Sequence, residues 1–124
     1  MYLVDSNIVI YSYSDEYQYL RAVMAADNVY ISEISRVEVL GYHKILPDED
    51  IYFRDVFEFL PILLPDKGIF DRAIRIRKAF NLKLGDSIIA STAIEYQLSI
   101  YTRNLSDFER VEGLKCINPV ILSI

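Results

Sequence analysis

Leu82-Lys83-Leu84-Gly85-Asp86-Ser87-Ile88-Ile89-Ala90-Ser91-Thr92-Ala93 decides how the rest of this chain is read. The stretch reads as a helix entered through Gly85, with a carboxylate in its first turn. At helical spacing Asp86 lies in line with Ile89, Ala90 and Ala93, at offsets of about three, four and seven. Small and apolar residues of this kind define a face that packs inward. A carboxylate on that face is costly unless its charge is cancelled. Something elsewhere in the chain, or bound to it, must therefore cancel it.

The chain has 124 residues, enough for one domain with a sizeable core. Its 52% hydrophobic and 25% charged content fits a compact soluble protein and excludes a disordered one. Apolar runs such as Ile8-Val9-Ile10 are too short to span a bilayer. No basic start precedes a long apolar region, so no signal peptide is expected. One cysteine, Cys116, allows no internal disulfide and fits a reducing cytoplasm. With a single histidine beside it, a zinc site is not expected. The net charge of −5 argues against a protein that coats nucleic acid electrostatically. Positive charge is nevertheless gathered at Lys67, Arg72, Arg75, Arg77, Lys78 and Lys83, ahead of Asp86. That run reads as a solvated helix face or as a local phosphate track.

Outward from Asp86, strands alternate with helices. Tyr2-Leu3-Val4 is a buried strand, and Asp5-Ser6-Asn7 leads into a helix. Asp5 thus stands at a strand's carboxyl end, where open α/β sheets bind ligands; it can also cap the helix. Asp15 to Ala26 reads as one helix with Tyr19, Leu20, Val23 and Met24 on one side. Val29-Tyr30-Ile31 is the second strand. In the helix from Ser32 to Tyr42, Ser35 and Glu38 match a capping box, yet Glu38 shares a stripe with Ile34, Gly41 and Ile45. That stripe implies an inward acid, with Gly41 admitting a neighbouring backbone. Further helices are expected over 51–60 and 67–80, with Val56, Phe57, Phe59 and Leu60 on the apolar side of one. Ile69, Phe70, Ala73, Ile76 and Phe80 line the other. Short strands fall at Ile62-Leu63-Leu64, Leu98 to Tyr101 and Leu114 to Ile117. Thr102 to Phe108 reads as a loop carrying Asn104 and Asp107, with Phe108 anchored in the core. The alternation implies a three-layer α/β/α fold with a central, mainly parallel sheet. Right-handed crossovers then bring the strand carboxyl ends to one edge.

Carboxylates converging there without lysine or histidine partners repel one another. A divalent cation resolves this, and oxygen-only ligands select magnesium or manganese. Such a site activates a water and stabilises charge building on a phosphodiester.

The same residues resemble a known family. Asp5-Ser6-Asn7 after the first strand is similar to the opening of PIN-domain ribonucleases. Ser32-x-x-Ser35-x-x-Glu38-x-x-Gly41 resembles the second signature of the VapC-type toxins in that group. Leu84-Gly85-Asp86-Ser87-Ile88-Ile89-Ala90, with Thr92-Ala93, resembles the third, and Thr102-Arg103-Asn104-x-x-Asp107-Phe108 with Asn118-Pro119 the fourth. The resemblance covers nearly the whole chain, 1–124, as a single PIN-like domain. It implies a cytoplasmic endoribonuclease dependent on Mg2+ or Mn2+, a homodimer, held inactive by a cognate antitoxin. It carries the acidic quartet onto Asp5, Glu38, Asp86 and Asp107, as metal ligands or as acids that position water. Asn104 stands where the family can have a fourth acid and offers only a neutral oxygen. Arg103, Thr102, Asn7 and Ser6 become candidates for contact with the RNA substrate, with structural roles open for Thr102 and Arg103. Two other readings remain: an inactive PIN-like module that grips a partner or RNA, and an aspartate phosphotransferase with Asp5 as nucleophile. The second is weakened by Asn7, which occupies the place of that chemistry's second aspartate.

Overall fold

Apolar β-branched runs a few residues long, separated by helices, are satisfied best inside a sheet covered on both faces. The computed structural model, which describes residues 1–120, shows this arrangement. Five strands, β1 (Tyr2–Val4), β2 (Val29–Ser32), β3 (Ile62–Leu63), β4 (Ser99–Tyr101) and β5 (Cys116–Ile117), form one sheet in the order β3-β2-β1-β4-β5. Every pairing is parallel. The innermost strand, β1, is in register with Val29 to Ile31 on one side and Ser99 to Tyr101 on the other.

Alternate residues of β1 enter different cores. Val4 and Ile31 pack with Ile8 and Val9 of α1 (Ser6–Ser12), Leu20 and Met24 of α2 (Tyr19–Ala25), and Phe53 and Phe57 of α4 (Pro47–Phe59). Leu3 and Ile100 pack on the opposite face with Ile76 of α5 (Lys67–Phe80) and with Ile89, Ala90 and Ala93 of α6 (Leu84–Tyr96). Helix α3 (Glu33–Leu40) lies across one end, placing Val39 in the first core and Ile34 against the second. From Ser87 to Ala93 every residue of α6 is buried. That explains how its serines and threonine are tolerated: Ser91 Oγ donates to the Ile69 carbonyl and Thr92 Oγ1 to Ile88.

Several boundaries differ from those expected. The 15–26 segment is two pieces, because the chain makes a 3-10 turn at Asp15–Tyr17 before α2 starts. Gln18 Nε2 bonds Asp15 Oδ1 across that turn. Helix α4 starts at Pro47, since proline suits a first helical position and Glu49 takes the Leu46 N–H. Residues 105–108, expected as loop, form a short helix, α7 (Leu105–Phe108), with Phe108 fully buried. Phe59, 64% exposed, and Phe70, 45% exposed, point away from the core, each one residue from a buried neighbour, Leu60 and Ile69. Ser32 caps α3, as its place ahead of the helix suggests, its Oγ accepting from Ile34 N. No helix among the described residues is long and apolar enough to cross a membrane.

Candidate active site

The site lies where β1, β2 and β4 end. Asp5 caps α1, its Oδ1 accepting from Ser6 N at 2.8 Å. It is only 4% exposed, so its second oxygen also needs partners. Oδ2 accepts from Thr102 Oγ1 at 2.8 Å and from Asn7 Nδ2 at 3.1 Å. Capping and site placement are thus one arrangement at Asp5. Thr102 is fully buried, and its hydroxyl is spent on Asp5 and on receiving Asn104 N at 2.9 Å. Of the two roles open for Thr102, the structure displays the structural one. Asn7 acts similarly: its amide nitrogen reaches Asp5 and its Oδ1 receives Arg103 N at 3.3 Å.

Glu38 reaches the site from α3. Its Oε1 accepts from Ser6 Oγ at 2.8 Å. The stripe it shares with Ile34, Gly41 and Ile45 is not a core face, however; Glu38 and Gly41 are exposed. Close approach occurs at Gly85 instead, where a Cβ would stand 2.5 Å from Glu38 Oε2. Any side chain at Gly85 would therefore displace that carboxylate. Gly41 ends α3 and meets only its own preceding turn. Asp86, half-buried in the first turn of α6, follows immediately. Asp107 on α7 is partly buried, 4.0 Å from Arg110. Asn104 is exposed and heads α7, contributing its backbone to the turn.

The four acids are close enough to perturb one another. Burial pushes the Asp5 carboxyl up to about 6, against the lowering hydrogen bond from Thr102, and the negative charges of Asp86 and Glu38 add to the rise. Burial also raises Asp86, followed by repulsion from Asp107 and Glu38; Lys83 opposes it. Among the described residues no three acidic, histidine or cysteine side chains stand closely enough to enclose an ion. Uncompensated carboxylates lower their energy by spreading apart and turning to hydroxyls and amides, as Asp5 and Glu38 do. The donor set is all oxygen, carries excess negative charge and is short of protons at neutral pH. It fits a hard divalent cation.

The cations before Asp86 divide. Arg72 pairs with Glu95 at 2.8 Å and Lys67 with Asp71 at 3.0 Å, along the α5–α6 flank. Arg75, Arg77, Lys78 and Lys83 are exposed and join no ion pair among the described residues. Tyr11, beneath Arg103, carries no local signal in the sequence. Ser35, one turn before Glu38 and part of the second signature, is buried with no hydrogen-bond partner for Oγ among the described residues.

Replacing Thr102 by valine keeps the shape and removes one donor to a buried carboxylate. We predict a loss of about 1–3 kcal/mol near neutral pH, because Asp5 stays buried with less compensation. Urea unfolding at about pH 7 and about pH 4.5 would check this. The penalty shrinks at the lower pH, where Asp5 is protonated; equal penalties would refute it.

The model of the PIN domain matches residues 2–114. This chain belongs to the PIN-domain family. PIN domains are generally nucleases, and PIN nucleases generally use divalent metals. A chain of a toxin–antitoxin complex from Klebsiella pneumoniae superposes with a TM-score of 0.80 at 29% identity, covering 98% of this chain and 100% of that one. The DNA-bound VapBC of Salmonella typhimurium gives 0.79 at 24% identity, covering 94% and 96%. FitAcB from Neisseria gonorrhoeae gives 0.78 at 20% identity, covering 96% and 98%. The latter two speak for the fold alone. No curated protein sequence matches the chain. The PIN match and the likeness to toxin–antitoxin complexes support a VapC-type PIN toxin.

Proposed function

We propose that this PIN domain is a cytoplasmic endoribonuclease dependent on Mg2+ or Mn2+, and the toxin of a type II toxin–antitoxin pair. The observation that carries the proposal is the electrostatic coupling of Asp5, Glu38, Asp86 and Asp107 at the carboxyl edge of a parallel sheet. Asp5 and Asp86 would be the principal ligands, with Glu38, Asp107 and the amide oxygen of Asn104 around them. A bound divalent ion supplies neutralisation of the cluster, acidification of water and stabilisation of charge on the phosphodiester.

The chain's own residues do the positioning. Ser6, Asn7 and Thr102 fix both oxygens of Asp5. Ser6 holds Glu38 by Oε1, leaving Oε2 beside Gly85 to orient an attacking water and take its proton. Arg103, the unpaired cations of α5 and Lys83 would be the candidates to receive phosphates. The Klebsiella neighbour is a toxin–antitoxin complex, which supports a cognate antitoxin as partner here. A homodimer is likewise proposed, and light scattering that gives a monomer mass at high concentration would remove it.

The test is cleavage of total cellular RNA by purified protein in manganese, beside EDTA. Discrete fragments that require the ion support the proposal. A second reading is a PIN-like module that binds a partner or RNA without cutting. Folded protein that binds metal and RNA but cleaves nothing would favour it.

A further inference from the structure

The amino edge of the sheet, opposite the acids, carries two adjoining hollows. Met1, Leu98 and Lys115 lie there, each one residue ahead of β1, β4 and β5 in turn. Backbone bonds fix them: Ser99 N donates to the Met1 carbonyl and Ile100 N to the Lys115 carbonyl. The first hollow, about 250 Å³, is lined by Met1, Tyr30, Leu63, Tyr96 and Leu98. Tyr30 and Leu63 are half-buried against the second core, and Tyr96 is the last residue of α6. The second hollow, about 340 Å³, shares Met1 and Leu98 and adds Gln97, Ser99, Gly113 and Lys115. Its character is polar where the first is apolar. Lys115 is exposed and joins no ion pair among the described residues. Tyr30, Tyr96, Gln97 and Ser99 likewise commit no side-chain hydrogen bond there. No acid lines either hollow, although the chain as a whole carries a net charge of −5.

We propose that the joined hollows bind a small aromatic carboxylate, its ring in the first and its carboxylate in the second. An apolar recess beside a few uncommitted polar groups is the general make-up of a small-molecule site, and the combined volume falls within the usual range. The ring gains by covering Leu63 and Leu98 and by contact with two phenol rings. The carboxylate accepts from the lysine, amide and hydroxyl groups of Lys115, Gln97 and Ser99. A cationic ligand is repelled by Lys115, and a plain hydrocarbon leaves the polar half unused. Four residues of extended chain separate Met1 from Asp5, about 13 Å at the rise of a strand. The ligand therefore lies away from the acids, and the inference does not depend on the ribonuclease reading. It touches the end of α6 and the start of β4, the elements that carry Asp86 and lead to Thr102.

The probes are phenylpropionate, the neutral phenylpropanol and acetate, each titrated to millimolar concentration while the amide resonances of isotope-labelled protein are followed. Phenylpropionate is expected to give saturable shifts centred on Tyr30, Leu63, Gln97, Ser99 and Gly113. Phenylpropanol should bind the same place about three-fold more weakly, the scale of one solvent-exposed charge contact. Acetate, which has no ring, should not saturate. Lys115→Gln should erase the preference for the acid over the alcohol. Tyr96→Ala, at an exposed helix end, should weaken phenylpropionate by about five-fold. Both variants are read only where the other amide resonances stay in place, which shows the fold intact. No saturable shift in the folded native protein would overturn the inference. So would shifts centred on the cations of α5 or on Arg103, which would show capture by any basic surface. Equal affinity for acid and alcohol, or a preference that survives Lys115→Gln, would remove the carboxylate. Saturation by acetate, or no effect of Tyr96→Ala, would remove the ring.

Discussion

Asp86→Asn is expected to abolish manganese-dependent RNA cleavage while leaving the fold as stable as before, or more stable. The fall in rate should be about a hundred- to a thousand-fold, the scale of removing one preorganised electrostatic contact to a transition state. Asparagine keeps the shape and one oxygen but removes the charge. Without metal, that charge is a liability. Asp86 is half-buried, and Asp107 and Glu38 both raise its pKa. Losing it relieves Asp5 as well, since of the two charges that push Asp5 up, Asp86 has the larger effect. Thermal melts in EDTA beside RNA cleavage in manganese would check both halves. Native-level cleavage by the variant would remove Asp86 from the chemistry. A marked fall in melting temperature would show it to be a stabilising cap.

The metal-free protein should lose stability as pH rises through the range where Asp5 ionises. Its folded pKa, about 6, lies above the ordinary 3.8, so the folded state holds a proton that the unfolded chain releases. Stability is then fully present below about pH 4 and declines as pH approaches and passes about 6. At about 1.4 kcal/mol for each tenfold in proton affinity, Asp5 alone accounts for roughly 3 kcal/mol. Asp86 acts in the same direction. Glu33, lowered by its bond to Arg36, acts oppositely, but at a partly exposed position where screening leaves little. A divalent ion can replace the missing proton. Manganese in hundred-fold excess over its Kd should restore about 2.7 kcal/mol near neutral pH and flatten the profile. Calorimetry across pH, with and without the ion, measures this. A flat metal-free profile would contradict the buried Asp5, and no shift with either manganese or magnesium would contradict the metal site.

The sheet and the acidic residues were legible because both leave local marks. Short apolar runs fix the strands, and an acid after a strand or inside an apolar helical stripe is conspicuous. Asp5 and Asp86 carry those marks most clearly. Glu38 stands out by its spacing, but not as an inward acid: it is exposed, and the glycine it approaches is Gly85 of another helix rather than Gly41 of its own. Contacts across long sequence separations leave no such mark. Nothing near Thr102 announces that it bonds Asp5, and nothing near Tyr11 announces Arg103. Helix α7 was hidden for a different reason, since four residues are too few to show a helical period. The errors at Phe59 and Phe70 arise from aromatic residues flanking a stripe, where rotation of about 100° per residue decides the face.

The bond between Thr102 and Asp5 joins residues 97 apart in sequence, and β1 is sandwiched between a strand made early and one made late. Closing so long a loop is slow, and it is completed only when β4 has docked. A ribosome therefore exposes Asp5, Glu38 and Asp86 well before it has made the residue that anchors the first of them. While still being translated, the chain carries most of its acidic cluster without its final alignment. Delayed long-range closure makes maturation of the site one of the last events in this molecule's birth.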